Sequence, residues 1–183
     1  MRRIDVELAL NESRNWLLAK YGELSEEQLQ RPLTASEHDR QHHWSAIDHF
    51  SHLAHIEVTF TQMIRRHLSG HSNPVGLLAD DGGAARTREQ IFAIVHSTND
   101  RFQHEHANDS LSDVVALTAE ARSETIHLLS ELSDERLGEQ VEGAPWGDGT
   151  IAGVLGANAD HARMHWKWMI EAGLLVIDRP SDE

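Results

Sequence analysis

Two histidines, His161 and His165, stand four residues apart in the run Asp-His-Ala-Arg-Met-His-Trp-Lys-Trp-Met at residues 160–169. The apolar pattern around them is helical, so both imidazoles share one helix face. Side chains so spaced can reach a single divalent ion at about 2.0–2.1 Å, and a third ligand must then come from elsewhere. Such pairs also arise by accident on surface helices, the more readily in a chain with 14 histidines among 183 residues. Context favours the inward reading. Val154, Leu155 and Ala157 precede the pair and Trp166 and Trp168 flank it, so this helix has a face to bury. Inward imidazoles need partners, because an unsatisfied buried polar group costs about 1–3 kcal/mol.

The third ligand is sought in the segment Trp44–Glu57, which carries His49, His52 and His55. Each three-residue step turns a helix by about 60°, so the three cannot all face the core. His52 lies centrally in the inward set of Ser45, Asp48, Phe50, Leu53 and Ile56, which selects it; His49 and His55 fall to either side and read as groups that support the ligands. Two histidines from one helix and one from another leave coordination positions open, the catalytic rather than the structural pattern for zinc-like ions. Asp48, one turn before His52, and Asn158, three residues before His161, are placed to hydrogen-bond a ligand or substrate and are the candidate catalytic residues. His38, His42, His43, His67, His71, His104 and His106 read as incidental. Glu124-Thr-Ile-His127 is a single Glu-x-x-His, where a di-iron carboxylate bundle needs two and further inward glutamates.

Helical elements must position these groups. Asp5–Tyr21 repeats apolar residues at helical spacing (Val6, Leu8, Ala9, Leu10, Trp16, Leu17, Leu18) and stops at Gly22. Leu24–Leu29 reads as a short turn capped by Ser25 with Gln28, and Pro32 ends it. Thr34–His43 is polar and aperiodic, a connecting loop. Ser45–Leu68 is a long helix, followed by a glycine-rich break from Gly70 to Gly83. A third helix opens at Thr87 and fades at Asn108. A fourth, Val114–Leu132, is capped by Ser110 or Ser112, with Val115, Leu117, Ala121, Ile126, Leu128, Leu129 and Leu132 inward. After a breaker-rich loop at Gly143–Gly149, Thr150 caps the last helix, which runs to about Ala172. No period-2 alternation stands out, so the expected fold is all-α: one domain over residues 1–183, a four-helix bundle with an additional helical segment.

The bulk composition narrows the function. Sixteen basic against 30 acidic side chains, a formal −14, repel a phosphate backbone, so nucleic acid is not expected as a partner. There is no cysteine, which excludes disulfides, thiolate ligands and a Cys nucleophile; a thiol in the chemistry has to arrive as a cosubstrate. No apolar run approaches the roughly 18 residues of a membrane span, and no signal-peptide pattern opens the chain, so a soluble cytoplasmic protein without a membrane partner is expected. Gly-x-Ser-x-Gly, Walker-type and Gly-x-Gly-x-x-Gly motifs are absent. The Trp44, Trp146, Trp166 and Trp168 set reads as core, with one or both of Trp44 and Trp146 placed to wall a pocket above the histidines.

Several segments taken in order carry a resemblance. Trp44-Ser45 is followed, eight residues after the tryptophan, by His52-Leu53-Ala54. Leu-Ser-Glu-Glu-Gln-Leu follows the first helix, Leu-Ser-Asp-Glu-Arg-Leu precedes the last loop, and Trp-Gly-Asp-Gly-Thr-Ile leads to His161-x-x-x-His165. Together they resemble the DinB-like superfamily, the DinB/YfiT-like metalloenzymes. The resemblance implies a four-helix bundle whose three histidines, by position His52, His161 and His165, bind zinc, nickel or iron. It further implies a small-molecule substrate and points to thiol-dependent transferases using bacillithiol, mycothiol or glutathione and to a mycothiol-dependent maleylpyruvate isomerase; activation of water instead of a thiol would make a hydrolase. The family's name reflects induction by DNA damage, not DNA binding. Where many relatives have a small acidic or polar residue three after the first histidine, this chain has His55. The expected function is a divalent-metal-dependent enzyme activating water or a low-molecular-weight thiol. Its rivals are a non-catalytic metal- or small-ligand-binding stress protein and a plain bundle with incidental histidines. The apolar faces of a bundle also permit a homodimer.

Overall fold

Each long helix after the first begins on a hydroxyl cap. Ser45, Thr87, Ser110 and Thr150 accept from the backbone N–H three residues on, satisfying a donor the helix leaves free. A computed structural model, describing residues 1–79 and 83–176, gives α1 (Arg3–Gly22), α2 (Glu26–Gln30), β1 (Thr34–Ala35), β2 (His43–Trp44), α3 (Ala46–Leu68), α4 (Arg88–Glu105), α5 (Leu111–Ser130) and α6 (Ile151–Glu171). Residues 80–82, within the glycine-rich break, and 177–183 at the end of the expected domain lie outside the described residues. Of the two caps expected for the fourth helix, the structure uses Ser110, whose hydroxyl accepts from Asp113 N. Among the described residues no helix is long and apolar enough to cross a membrane.

The fold is all-α. α3 packs on α5 and α6, and α1 on α6 and α5, which closes a ring of four helices; α4 lies outside it against α3 as the additional segment. One correction concerns residues 34–43, expected as plain loop: β1 and β2 pair antiparallel, with Thr34 opposite Trp44 and Ala35 opposite His43. Strands of two residues leave too little sequence for alternation to register.

The bundle holds two apolar clusters. One gathers Val6, Leu10, Phe60, Met63, Ile64, Leu128, Leu129, Leu155 and their neighbours. The other gathers Leu17, Tyr21, Phe50, Leu53, Val114, Ala162, Met169 and Leu174. Along α1, α3 and α5 a buried polar residue lies between the two: Ser13, Glu57 and Arg122. Ser13 Oγ donates to the Ala159 carbonyl at 2.6 Å, Thr61 and Thr125 share a 2.8 Å bond, and Arg122 Nε donates to Glu57 Oε1 at 2.5 Å. Arg122 Nη1 also donates to the Leu10 carbonyl, so one guanidinium ties α5 to both α3 and α1. These contacts correct the reading of α5. Its buried stripe is Val114, Thr118, Ala121, Arg122, Thr125, Leu128 and Leu129, while Val115, Leu117 and Ile126 are half-buried. Polar residues that find partners across the bundle took positions an apolar count assigns elsewhere.

The motif before α6 has a backbone explanation. Gly147 has φ +60°, and a Cβ there would lie 2.4 Å from the Gly153 carbonyl oxygen. Asp148 Oδ1 accepts from the Thr150 hydroxyl at 2.6 Å and its backbone N–H at 3.1 Å. The turn is folded tightly onto the helix it starts, which fixes where α6, and with it His161 and His165, begins.

Candidate metal centre

The first turns of α3 carry His49 and His52, and the second half of α6 carries His161 and His165. One ring nitrogen from each of His52, His161 and His165 lies within 4.8 Å of the others. The His161 and His165 Nε2 atoms are 2.9 Å apart, and the His52 ring centroid is 5.5 Å from that of His161 and 4.9 Å from that of His165. His52 and His165 are buried, at 4% and 3% exposure, and His161 is half-buried.

Burial sets the charge state. Loss of solvation pushes the pKa of His161 down to about 4, and drives His52 and His165 well below the ordinary range, with the neighbouring histidines adding to the shift. At neutral pH all three rings are therefore uncharged, the form in which imidazole ligates a metal. His52 Nδ1 is buried without a hydrogen-bond partner among the described residues. Orphaned polar atoms of this kind are uncommon in folded proteins. Neutral, convergent, under-satisfied nitrogens are a donor set that a zinc-, nickel- or iron-like divalent ion fits.

His49, placed by the sequence beside the ligands, touches one of them. Its Nδ1 is 2.7 Å from His165 Nδ1, its Nε2 is 2.7 Å from Thr34 Oγ1, and it is only 2% exposed. Burial pushes its pKa down to about 4, so this ring too is neutral and carries one proton. For His165 to offer Nε2 as a ligand, its proton must sit on Nδ1 and be donated to His49 Nδ1. His49 then carries its own proton on Nε2 and donates it to Thr34. A fixed chain, Thr34–His49–His165, thereby selects the tautomer and ring orientation of His165. His55, on the other side, stacks on Phe102 at 4.4 Å between centroids.

Asp48 and Asn158 are placed differently from the three grouped histidines. Asp48 Oδ2 accepts from both the backbone N–H and the hydroxyl of Ser45 at 2.7 Å, locking the start of α3. Asn158 is buried in the seam with Ser13, Glu57 and Arg122, around a small void of about 30 Å³. A larger cavity of about 450 Å³ opens beside the site, lined among others by Thr34, Trp44, His49, Asp100, His165 and Trp168. It reaches the triad through His165, and neither Asp48 nor Asn158 lines it. Trp44 walls the cavity as expected, its ring 5.0 Å from that of His52. Trp146 packs instead on Phe60, at 4.7 Å, within the other apolar cluster.

Sequence reading did not find Thr34 or Asp100. Both come to the site through tertiary pairing, of the β1–β2 hairpin and of α4, and neither stands in a local pattern with a histidine.

Comparison with known proteins gives a family and a fold. The profile of the DinB superfamily matches residues 9–169, a span that contains all three histidines. No curated protein matches the chain. Among solved structures, the crystal structure of an uncharacterised protein from Escherichia coli UTI89 is similar in fold, with a TM-score of 0.58 at 16% identity, over 93% of this chain and 94% of that one.

Proposed function

The chain belongs to the DinB superfamily, and from that membership together with its grouped histidines we propose a divalent-metal-dependent enzyme acting on a small molecule. His52, His161 and His165 hold the ion. When bound, such an ion acts as a Lewis acid and lowers the pKa of a coordinated water or thiol, giving a nucleophile near neutral pH. The observation that carries the proposal is the convergence of three imidazoles, two buried and one half-buried, kept neutral by desolvation.

The chain's own residues do the positioning. His49 and Thr34 hold the His165 ring in its ligating tautomer. Asp48, through the Ser45 cap, fixes the turn from which His49 and His52 project, and Asn158 belongs to the polar seam that sets α6 against α1 and α3. In this reading both act through the helices rather than on substrate. Trp44 shields His49 and His52 from water. Because there is no cysteine, a thiol enters as a low-molecular-weight cosubstrate, and the activity is that of a thiol-dependent S-transferase or a hydrolase of the cytoplasm.

The test is turnover. Zinc-, nickel- and iron-loaded protein is assayed with bacillithiol, mycothiol or glutathione against electrophilic acceptors, and separately with ester and amide substrates. Product formation that disappears in His52→Ala, His161→Ala and His165→Ala supports the enzyme; saturable binding without product supports a second reading. That reading, a metal- or ligand-binding protein without turnover, is favoured by one feature: two of the three ligand rings are almost wholly enclosed.

A further inference from the structure

The cavity beside His165 is closed on one side by α4 and the β1–β2 hairpin, and the charge they bring is negative. Glu37, Asp100 and, from the end of α6, Glu171 line it, and among the described residues no lysine or arginine does. In a chain with a formal charge of −14 that balance alone specifies nothing. Glu37 is moreover paired with His96 at 3.0 Å.

Asp100 is the specific observation. It is 4% exposed; its Oδ1 accepts from the Ser36 hydroxyl at 2.6 Å, while its Oδ2 has no hydrogen-bond partner among the described residues. A buried carboxylate oxygen without a donor is among the costlier defects a fold can carry, and a ligand N–H repairs it. The cavity also presents aromatic surface. Trp168 is a 43% exposed tryptophan whose ring meets that of His165 edge-on at 4.9 Å, and Trp44 carries a buried Nε1–H with no acceptor among the described residues. Indole faces attract cations, and an unpaired indole N–H seeks an acceptor. An anionic ligand would meet carboxylates and no cationic Lys or Arg side chain to offset them.

We propose that this cavity binds a small molecule through a protonated amine, which donates to Asp100 beside the indole walls of Trp44 and Trp168, next to His165. A polar acceptor elsewhere on the same molecule pairs with Trp44 Nε1. This names the substrate class for the metal-centre reading, on which it rests only for what happens to the bound molecule; the amine site itself stands on Asp100.

The experiment compares three probes of similar shape, phenethylamine, phenethyl alcohol and 3-phenylpropionate, titrated calorimetrically at pH 7 into metal-free and zinc-loaded protein. The amine is expected to bind about 10–100-fold more tightly than the other two in both states, the worth of one charge-assisted hydrogen bond. Asp100→Asn, which keeps the acceptor for Ser36, is expected to erase that preference without changing zinc uptake or helix content. Trp168→Leu is expected to weaken the amine about 2–10-fold. Equal binding of amine and alcohol, preference for the carboxylate, or an undiminished preference in Asp100→Asn overturns the proposal. So does a preference present only with zinc loaded, which marks direct coordination by the amine. Amine selectivity in a protein that takes up no zinc refutes the metal centre and leaves this site standing; zinc uptake without amine selectivity does the reverse.

Discussion

Removing the ring of His49 tests whether a group that need not touch the metal nevertheless sets its affinity. In His49→Ala, His165 Nδ1 loses the partner 2.7 Å away and Thr34 Oγ1 loses its own, both at a position only 2% exposed. His165 is then free to place its proton on Nε2, the atom needed as a ligand, or to rotate. Losing an outer partner of a metal-bound histidine typically costs about 10–100-fold in affinity, equivalent to about 1.4–2.8 kcal/mol. Leaving a buried donor unsatisfied costs the fold about 1–3 kcal/mol in addition. Competition between the protein and a chromophoric chelator for zinc at pH 7.5 reads the first quantity, and urea unfolding of the metal-free protein reads the second. His49→Asn places an amide oxygen near the position of Nδ1 and is expected to recover most of the affinity, which a merely structural role does not predict. Thr34→Val, one step further out, is expected to cost less than His49→Ala. Zinc affinity unchanged in a folded His49→Ala protein refutes the chain from Thr34 to His165.

Two further outcomes follow from burial. His49 and His161 have folded-state pKa values near 4, below the ordinary 6.5, so the unfolded chain takes up protons first as pH falls. Stability of the metal-free protein is therefore complete above about pH 6.5 and is lost as pH falls toward about 4, at up to about 1.4 kcal/mol per pH unit for each such histidine. His52 and His165 shift in the same direction; urea midpoints measured from pH 7.5 to 4 check the trend, and a flat profile contradicts it. Arg122→Met leaves the Glu57 carboxylate buried and unpaired, and is expected to cost about 3–5 kcal/mol in thermal or urea unfolding, with most of it restored by adding Glu57→Leu.

The sequence is informative about this protein where the signal is local. His161 and His165 declare themselves because a helix repeats every 3.6 residues, and the Ser25 and Thr150 caps because each acts within three residues of itself. His52 followed from the face it shares with Phe50 and Leu53. Thr34 could not be reached in that way: it meets His49 only because β1 pairs with β2 just ahead of α3, and two-residue strands leave no periodic trace. Asp100 sits on α4, a helix whose buried residues are Asp100 and Gln103, so no apolar stripe marks its inner face. Arg122 and Thr125 were hidden by the rule that charged and polar side chains face water, which fails where Glu57, Thr61 and the Leu10 carbonyl await them. Asp48 carries two local signals. Its spacing from His52 suggested a role at the site, while its spacing from Ser45 already wrote a helix cap.

The central claim is that three histidines from α3 and α6 form one metal site. Elemental analysis of tag-free protein, equilibrated with zinc and freed of excess by gel filtration, tests it most directly alongside His52→Ala, His161→Ala and His165→Ala. One ion per chain in the wild type, lost or sharply reduced in each variant while helix content is kept, is the predicted result. A wild-type protein that retains no ion, or variants that keep the full stoichiometry, would contradict the account.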